Sequence, residues 1–252
     1  WLRMSLTNDE TVTRLENVQL RPRGIPQTMD DLLLTHAVLR EAVSTSIQTM
    51  RHSWELPGVD HEGETLPAFD VIAARGGSIV HTPEDGMMVL TVLDALQPTG
   101  LTRLVVDWAS LWPQLGAIAG IAPLVAAQVL ERDSFRELGT VISPVGVARD
   151  GDRALDLKII PEHGKVIEAR IPAGTVQCFP LPLEDHAVVE VRPSRDFDIG
   201  LGRKGMGGRA KVRGGSLGII VDTRGRPLAL PQNERQRMIK IEQWLGNVVG
   251  DV

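Results

Sequence analysis

The chain predicts an α/β fold followed by a β-rich region with a C-terminal helix, and three changes of texture along it carry that expectation. Up to about residue 140, segments of helical period alternate with short apolar strands, the pattern of helices layered on a parallel or mixed sheet. Beyond Gly139 come short β-rich runs such as "ALDLKIIP", "KVIEARIPAG" and "HAVVEVRPS", separated by Gly, Pro and Asp, the signature of a small antiparallel sandwich or barrel. The final segment "NERQRMIKIEQWLGNVV" returns to helical spacing, with Met238, Ile241, Trp244 and Leu245 along one face. Two domains follow from this, 1–140 and 141–252, with the boundary between Leu138 and Val147.

Within the first region, "TMDDLLLTHAVLREAVSTSIQTMRHSW" places Leu32, Leu33, His36, Leu39, Val43, Ile47 and Met50 at helical spacing. Thr28 or Asp30 is the candidate N-cap, with acids in the first turn. "AFDVIAARGG" reads as a strand ending in Gly76 and Gly77, "EDGMMVLTVLDALQ" as a helix, and "LTRLVVD" as a buried strand. "PQLGAIAGIAPLVAAQVLERD" is an apolar helical stretch interrupted by Gly and Pro.

Composition narrows the function. The 252 residues are 42% hydrophobic and 23% charged, with a formal net charge of -5, and the isoelectric point near 5.7 argues against a surface adapted as a whole to nucleic acid or anionic lipid. The single cysteine, Cys178, forms no intrachain disulfide, and no apolar run spans a bilayer, so a reducing, cytoplasmic setting without membrane contact is expected. The six histidines show neither H-x-x-x-H spacing nor pairing with cysteine, so no metal site is expected. Cys178 sits in an apolar strand pattern, where burial raises its pKa and dulls its reactivity. No G-x-S-x-G elbow occurs. No catalytic residue is expected in this chain.

The first constellation with ligand chemistry is "FDVIAARGGSIVHTP". A strand that ends in paired glycines leaves main-chain N–H groups at its carboxyl edge with no Cβ in the way, which suits a flat or anionic ligand. The alternative is a plain glycine turn. Asp70 on that strand and Asp107 at the end of the next are candidates for helix capping or salt bridging.

In this order, strand, "RGG", helix "LDALQPTG", strand "LTRLVVD" and "PQLGAIAG" resemble the closing section of an actin-like ATPase fold, where a GG turn touches the adenosine and a Gly-Ala helix packs behind it. More narrowly, "GGSIVHTP", "LDALQPTG", "LGAIAG", "LGTVISPVG", "RPSRDFDIGLG", "KVRGGSLGIIVDTRGRPL" and the helix ending "WLG" are similar to the glutamate mutase L family, over roughly residues 25–246. Its members accompany a coenzyme-B12-dependent carbon-skeleton mutase and are held to reactivate or chaperone it with ATP. The resemblance implies that residues 1–140 are the C-terminal part of an actin-like ATPase domain, with Gly76, Gly77 and Ser78 on the adenosine side of its cleft. The family's D-x-G-S/T and D-x-G-G phosphate loops are not found in these residues, and Arg75 stands where a small residue is usual. The chain thus reads as the C-terminal portion of a longer protein that uses ATP with Mg, with no cofactor expected in this portion alone. The implied partners are the mutase subunits or the N-terminal part.

The basic stretch "FDIGLGRKGMGGRAKVRGGSLGIIVDTRGRPL" is the second constellation. Residues 190–240 hold twelve Lys or Arg against five acids, a local net of +7. "GLGRKGMGGRAK" lacks the Ser or Thr and the following helix of a P-loop, and no aromatic residue occurs from Gly200 to Lys240 on which bases would stack. Nucleic-acid binding through this stretch is therefore the less favoured alternative. The expectation is a glycine-rich hairpin and loop presenting Arg203, Lys204, Arg209, Lys211 and Arg213 to an acidic partner or to acidic parts of the same chain, or a solvated face. Gly207, Gly208, Gly214 and Gly215 are expected to serve turns with φ > 0. In "DTRGRPL", Asp222 is expected to bond the backbone ahead of it and Gly225 to turn the chain, leaving Arg224 and Arg226 able to clamp a carboxylate or phosphate. A purely structural interaction subunit is a further alternative.

Overall fold

A computed structural model describes residues 1–4, 6–21, 24–51, 65–201 and 205–249, and the side chains of all of these except residues 51 and 133. It divides into two compact units, each discontinuous in sequence: 1–56, 77–96 and 230–252 form the first, and 57–76 with 97–229 the second.

The first unit is helical. Helix α1 (Asn8–Leu20) starts at a reciprocal cap in which the Thr7 hydroxyl accepts from the Glu10 N–H and the Glu10 carboxylate accepts from the Thr7 N–H. Helix α2 (Met29–Arg51) follows, with the Thr28 hydroxyl accepting from the Asp31 N–H as expected of an N-cap. It buries Leu32, Leu34, His36 and Ala37, whereas Met50, assigned to the same face by period, is exposed. The four-residue α3 (Gly77–Val80) leads to α4 (Asp85–Leu96), whose residues from Gly86 to Ala95 are all buried. A helix apolar on every side must be enclosed on every side, and α4 packs against both α2 and the C-terminal α7 (Glu234–Val249). Helix α7 approaches on Ile241, Trp244 and Val248, and so closely that a Cβ on Gly86 would lie 2.9 Å from the Val248 carbonyl oxygen.

The second unit carries the sheets. Strands β1 (Val71–Ala74) and β2 (Gly100–Val106) run parallel, and the hairpin-like pair α5 (Trp112–Ala119) and α6 (Pro123–Val129) follows, broken at Gly120 and Pro123 as the sequence indicates. A π-helical turn (Leu130–Ser134) leads to β3 (Arg136–Ser143). Then come β4 (Val145–Gly146), β5 (Arg153–Pro161), β6 (Ile167–Pro172), β7 (Val176–Phe179), β8 (His186–Pro193), β9 (Phe197–Asp198), β10 (Gly208–Arg213) and β11 (Ile219–Asp222). A mixed five-stranded sheet has the order β1-β2-β3-β11-β7, and an antiparallel four-stranded sheet the order β10-β8-β5-β6; β4 and β9 make a short pair. The two larger sheets share one core, in which Leu155, Leu157, Val189 and Val191 of the antiparallel sheet meet Ile142, Ile219 and Val221 of the mixed one.

The glycines between β10 and β11 serve close approach more than turning. Among the described residues from Phe197 to Leu228, positive φ occurs at Gly200, Gly205, Gly218 and Gly225, and not at Gly207, Gly208, Gly214 or Gly215, correcting the turn expectation. A Cβ on Gly215 would lie 2.5 Å from the Gly139 nitrogen and 2.6 Å from the Leu138 carbonyl carbon. The chain passes so near β3 that only a hydrogen fits.

This contrast is testable. Gly215→Ala is expected to destabilise by about 1–3 kcal/mol or more through forced backbone displacement, seen as a fall in Tm. Gly246→Ala, inside α7 with nothing within 4 Å of the added carbon, is expected to raise Tm by relieving glycine's conformational cost, up to about 1 kcal/mol.

Candidate functional site

The carboxyl edge of β1 and β2 is where the strand-glycine pair predicts a ligand, and the local chemistry there is mostly structural. After Ala74 the chain turns through Arg75 and Gly76, the latter at φ 114° with nothing within 4 Å of where a Cβ would stand. Arg75, Gly76 and Gly77 are exposed, so the backbone is open to a flat ligand. Ser78 is half-buried, and its carbonyl accepts from the Thr82 hydroxyl at 3.0 Å and lies 3.3 Å from His36 Nε2. Gly76 belongs to the second compact unit, Gly77 and Ser78 to the first.

Asp107, at the end of β2, is fully buried. Its two oxygens accept from the N–H groups of Leu111 (2.9 Å) and Trp112 (3.1 Å), so the carboxylate caps the start of α5, one of the two roles the sequence leaves open for it. The Arg75 Nε stands 3.9 Å from it. Asp70 is exposed, and its carbonyl accepts from the Arg103 N–H.

Beside this edge lies a surface that period alone does not foretell. From Trp112 to Leu130 there is no charged residue, yet only Leu115 in α5 and Ala126 in α6 are buried. Ile121 is 91% exposed, Leu124 78% and Val125 53%. Under these helices a cleft of about 630 Å³ is lined chiefly by Val71, Ala73, Val105, Trp112, Leu115 and Ala126. The sequence signal was present in the missing charges, but such a stretch ordinarily reads as a buried helix.

A family model described as MutL protein matches residues 1–134, which take in the strand-glycine turn, Asp107 and the whole of this apolar surface. The chain belongs to the MutL family. No curated protein and no solved structure matches it.

The basic residues of this MutL-family chain separate into three groups. Arg203 and Lys204 lie outside the described residues. Arg209, Lys211 and Arg213 stand on β10. Arg209 Nη2 meets Glu190 Oε1 across the strands at 3.1 Å, one link in a face where charges alternate. Register sets Lys158 opposite both Glu168 and Glu190, and Asp156 opposite both Arg170 and Arg192. The ion pairs Lys158–Glu168 (2.8 Å) and Arg170–Asp156 (3.1 Å) close across it. That alternation suits a solvated sheet face better than a phosphate track.

Arg224 and Arg226 form the third group, and both guanidiniums have no exposed surface. The carboxylate they clamp is the chain's own. Asp222 accepts from Arg224 Nε (2.9 Å) and Nη2 (2.8 Å) and from Arg226 Nη2 (2.6 Å), while its Oδ1 also takes the Arg224 N–H at 3.1 Å, the predicted turn bond. Burial alone would raise the Asp222 pKa; the two adjacent guanidiniums outweigh it and hold the carboxyl well below the usual carboxylate range. Arg226 also donates to the carbonyls of Pro98 (3.1 Å) and Gly225 (2.8 Å).

Two further groups are accounted for by burial. Cys178 on β7 has its thiol pushed up to about 11. His36 is 1% exposed and sits between the hydroxyls of Thr82 (3.0 Å) and Thr91 (3.2 Å), a satisfied core histidine. Burial, with the nearby Arg40 charge, lowers its pKa from 6.5 to about 4. Among the described residues no group of three or more His, Cys, Asp or Glu is placed to hold a metal ion, and no helix is long and apolar enough to cross a membrane.

His36 sets a pH dependence. The unfolded imidazole takes up its proton near 6.5 and the folded one only near 4, so its contribution is present above pH 6.5 and is lost as pH falls toward 4. The loss is on the order of 3 kcal/mol. Urea unfolding at a series of pH values is expected to show this slope, and His36→Gln to flatten it.

Proposed function

We propose that this protein is an accessory, reactivase-like member of a coenzyme-B12-dependent mutase system, in which these residues act through contact with a protein partner and carry none of the ATPase chemistry themselves. The observation that carries the reading is the exposed apolar surface of α5 and α6, within the region the MutL family model matches. Singly scattered apolar side chains are ordinary on a protein surface, whereas Ile118 on α5, Ile121 in the turn after it and Leu124 and Val125 on α6, all more than 40% exposed, concentrate apolar surface in one short stretch, as interaction sites do. The partner on this reading is a subunit of the mutase or the remainder of the ATPase.

The scaffold, on the same proposal, is part of an actin-like ATPase. Supporting it are the order strand, glycine pair, helix, strand at β1, Gly76–Gly77, α4 and β2, and the open backbone at Gly76. These residues fit the nucleoside side of such a cleft through backbone contact at Gly76, Gly77 and Ser78. ATP would bring the phosphoryl group whose transfer drives reactivation, and its phosphates with Mg would be held by groups outside these residues.

Ile121→Glu with Leu124→Glu is expected to leave the circular dichroism spectrum and Tm unchanged and to weaken association with purified mutase subunits at least tenfold, read by sedimentation or calorimetry. Unaltered association in that variant would remove the surface from the proposal. Calorimetric titration of the 252-residue chain with Mg-ATP is expected to give no binding tighter than about 1 mM, and no phosphate release. Turnover that persists through repurification and disappears in Gly77→Val would overturn the non-catalytic reading.

A further inference from the structure

The groove beside β10 joins an open strand edge to unmatched positive charge. Strand β10 ends the four-stranded sheet, pairing with β8 on one side only. The Gly214 N–H turns toward the β8 side, donating to the Asp185 carbonyl, whereas the N–H and C=O of Arg213 turn the other way, to the Thr140 hydroxyl at 3.3 and 2.7 Å. Backbone groups in an antiparallel strand alternate sides residue by residue. The N–H and C=O of Lys211 and Arg209 therefore point to the same open side as those of Arg213, where the described residues supply no further strand.

That side faces a cleft of about 400 Å³, lined by Lys211, Arg213, Arg103, His186, Thr102 and Asp70 among others. Arg103 is already matched, its guanidinium bidentate on Glu137 at 3.0 and 2.7 Å. Asp70 is the acid in the lining. Against it stand Lys211, exposed, and Arg213, whose Nε is buried with no hydrogen-bond partner. A buried guanidinium N–H without an acceptor is rare, because an arginine carries five donors and desolvating one unpaired is unfavourable.

We propose that this groove receives an extended acidic peptide segment of a partner protein, which adds a strand to β10 through the Lys211 and Arg209 backbone and places a carboxylate on Arg213 and Lys211. Strand addition supplies the main-chain bonds an open edge lacks, and alternate side chains provide selectivity. Charge complementarity selects the occupant: a carboxylate completes the Arg213 Nε and balances Lys211, whereas a polynucleotide would meet the Glu190 and Glu168 carboxylates on the adjoining face. The proposal rests on the partner reading above only in taking a protein as the ligand; its groove shares Arg103 with the cleft under α5 and α6 but includes no residue of either helix.

The probe is a fluorescein-labelled acetyl-Thr-Glu-Val-Glu-Thr amide, followed by polarisation at low salt, with its Gln-for-Glu counterpart, inorganic phosphate and a single-stranded oligonucleotide as further arms. Saturable binding of the Glu peptide is expected, with at least tenfold loss for the Gln peptide, for Arg213→Gln and for the surface change Lys211→Glu. Amide exchange at Lys211 and Arg209 is expected to slow when the peptide is bound. Ile121→Glu/Leu124→Glu should retain the peptide, which separates failure here from failure of the mutase contact. Absence of saturable binding, indifference to both charge variants, unchanged exchange at Lys211, displacement by phosphate at equal concentration, or tighter binding of the oligonucleotide would each overturn the proposal.

Discussion

Asp222 holds two arginines out of water at the point where β11 leaves the mixed sheet, and much of the second unit is arranged around that one carboxylate. Removing a guanidinium from water is costly unless its donors are met, so the backbone nearby must supply what Asp222 does not. Arg226 reaches the Pro98 carbonyl just before β2 and approaches Ser143 at the end of β3. The Arg226 N–H bonds the Gly146 carbonyl, and the Leu228 N–H the Gln97 side chain. One buried ionic cluster thereby fixes the ends of β2, β3 and β11 in a single arrangement. Its tolerance for change is low, because loss of one partner leaves an uncompensated charge in the interior.

The exposed face of the antiparallel sheet follows a different rule. There Lys158 of β5, Arg170 of β6, Arg192 of β8 and Arg209 of β10 stand opposite acids in register, and such pairs, being solvent-exposed, contribute little to stability singly. Among the described residues, Lys211 and Arg213 stand opposite no acid in register, on the side strand β10 of the four-stranded sheet.

Legibility varied with the range of the interaction involved. Helices α2, α4 and α7 and most strands could be read from period, as could the capping roles of Thr28 and Asp107 and the Asp222 turn bond, since each is decided within a few residues. Helix α1 is not legible by period although Thr7 and Glu10 spell its capping box, because it has no buried residue and hence no apolar stripe. At α5 and α6 the sequence shows an apolar helical stretch interrupted by Gly and Pro but not which side of it is covered, and the structure leaves most of it exposed. The glycines at 214 and 215 carried a correct signal of necessity with the wrong reason attached. Turn geometry is local and can be guessed, while the passage of β3 within 3 Å of where a Gly215 Cβ would stand is not.

By itself the sequence determined the periods, the turns, the balance of charge and the motifs through which family membership can be recognised. Those are properties of neighbouring residues, set by backbone sterics and the spacing of apolar side chains. Tertiary structure alone decided that β3, β7 and β11 share a sheet with β1 and β2, and that Arg224 and Arg226 turn inward to Asp222 while Lys211 and Arg213 stay at an open edge. These four cations look alike as letters in a basic stretch. What distinguishes them is which carboxylates and strands, distant in the chain or only folded back upon it, come to lie within hydrogen-bond reach.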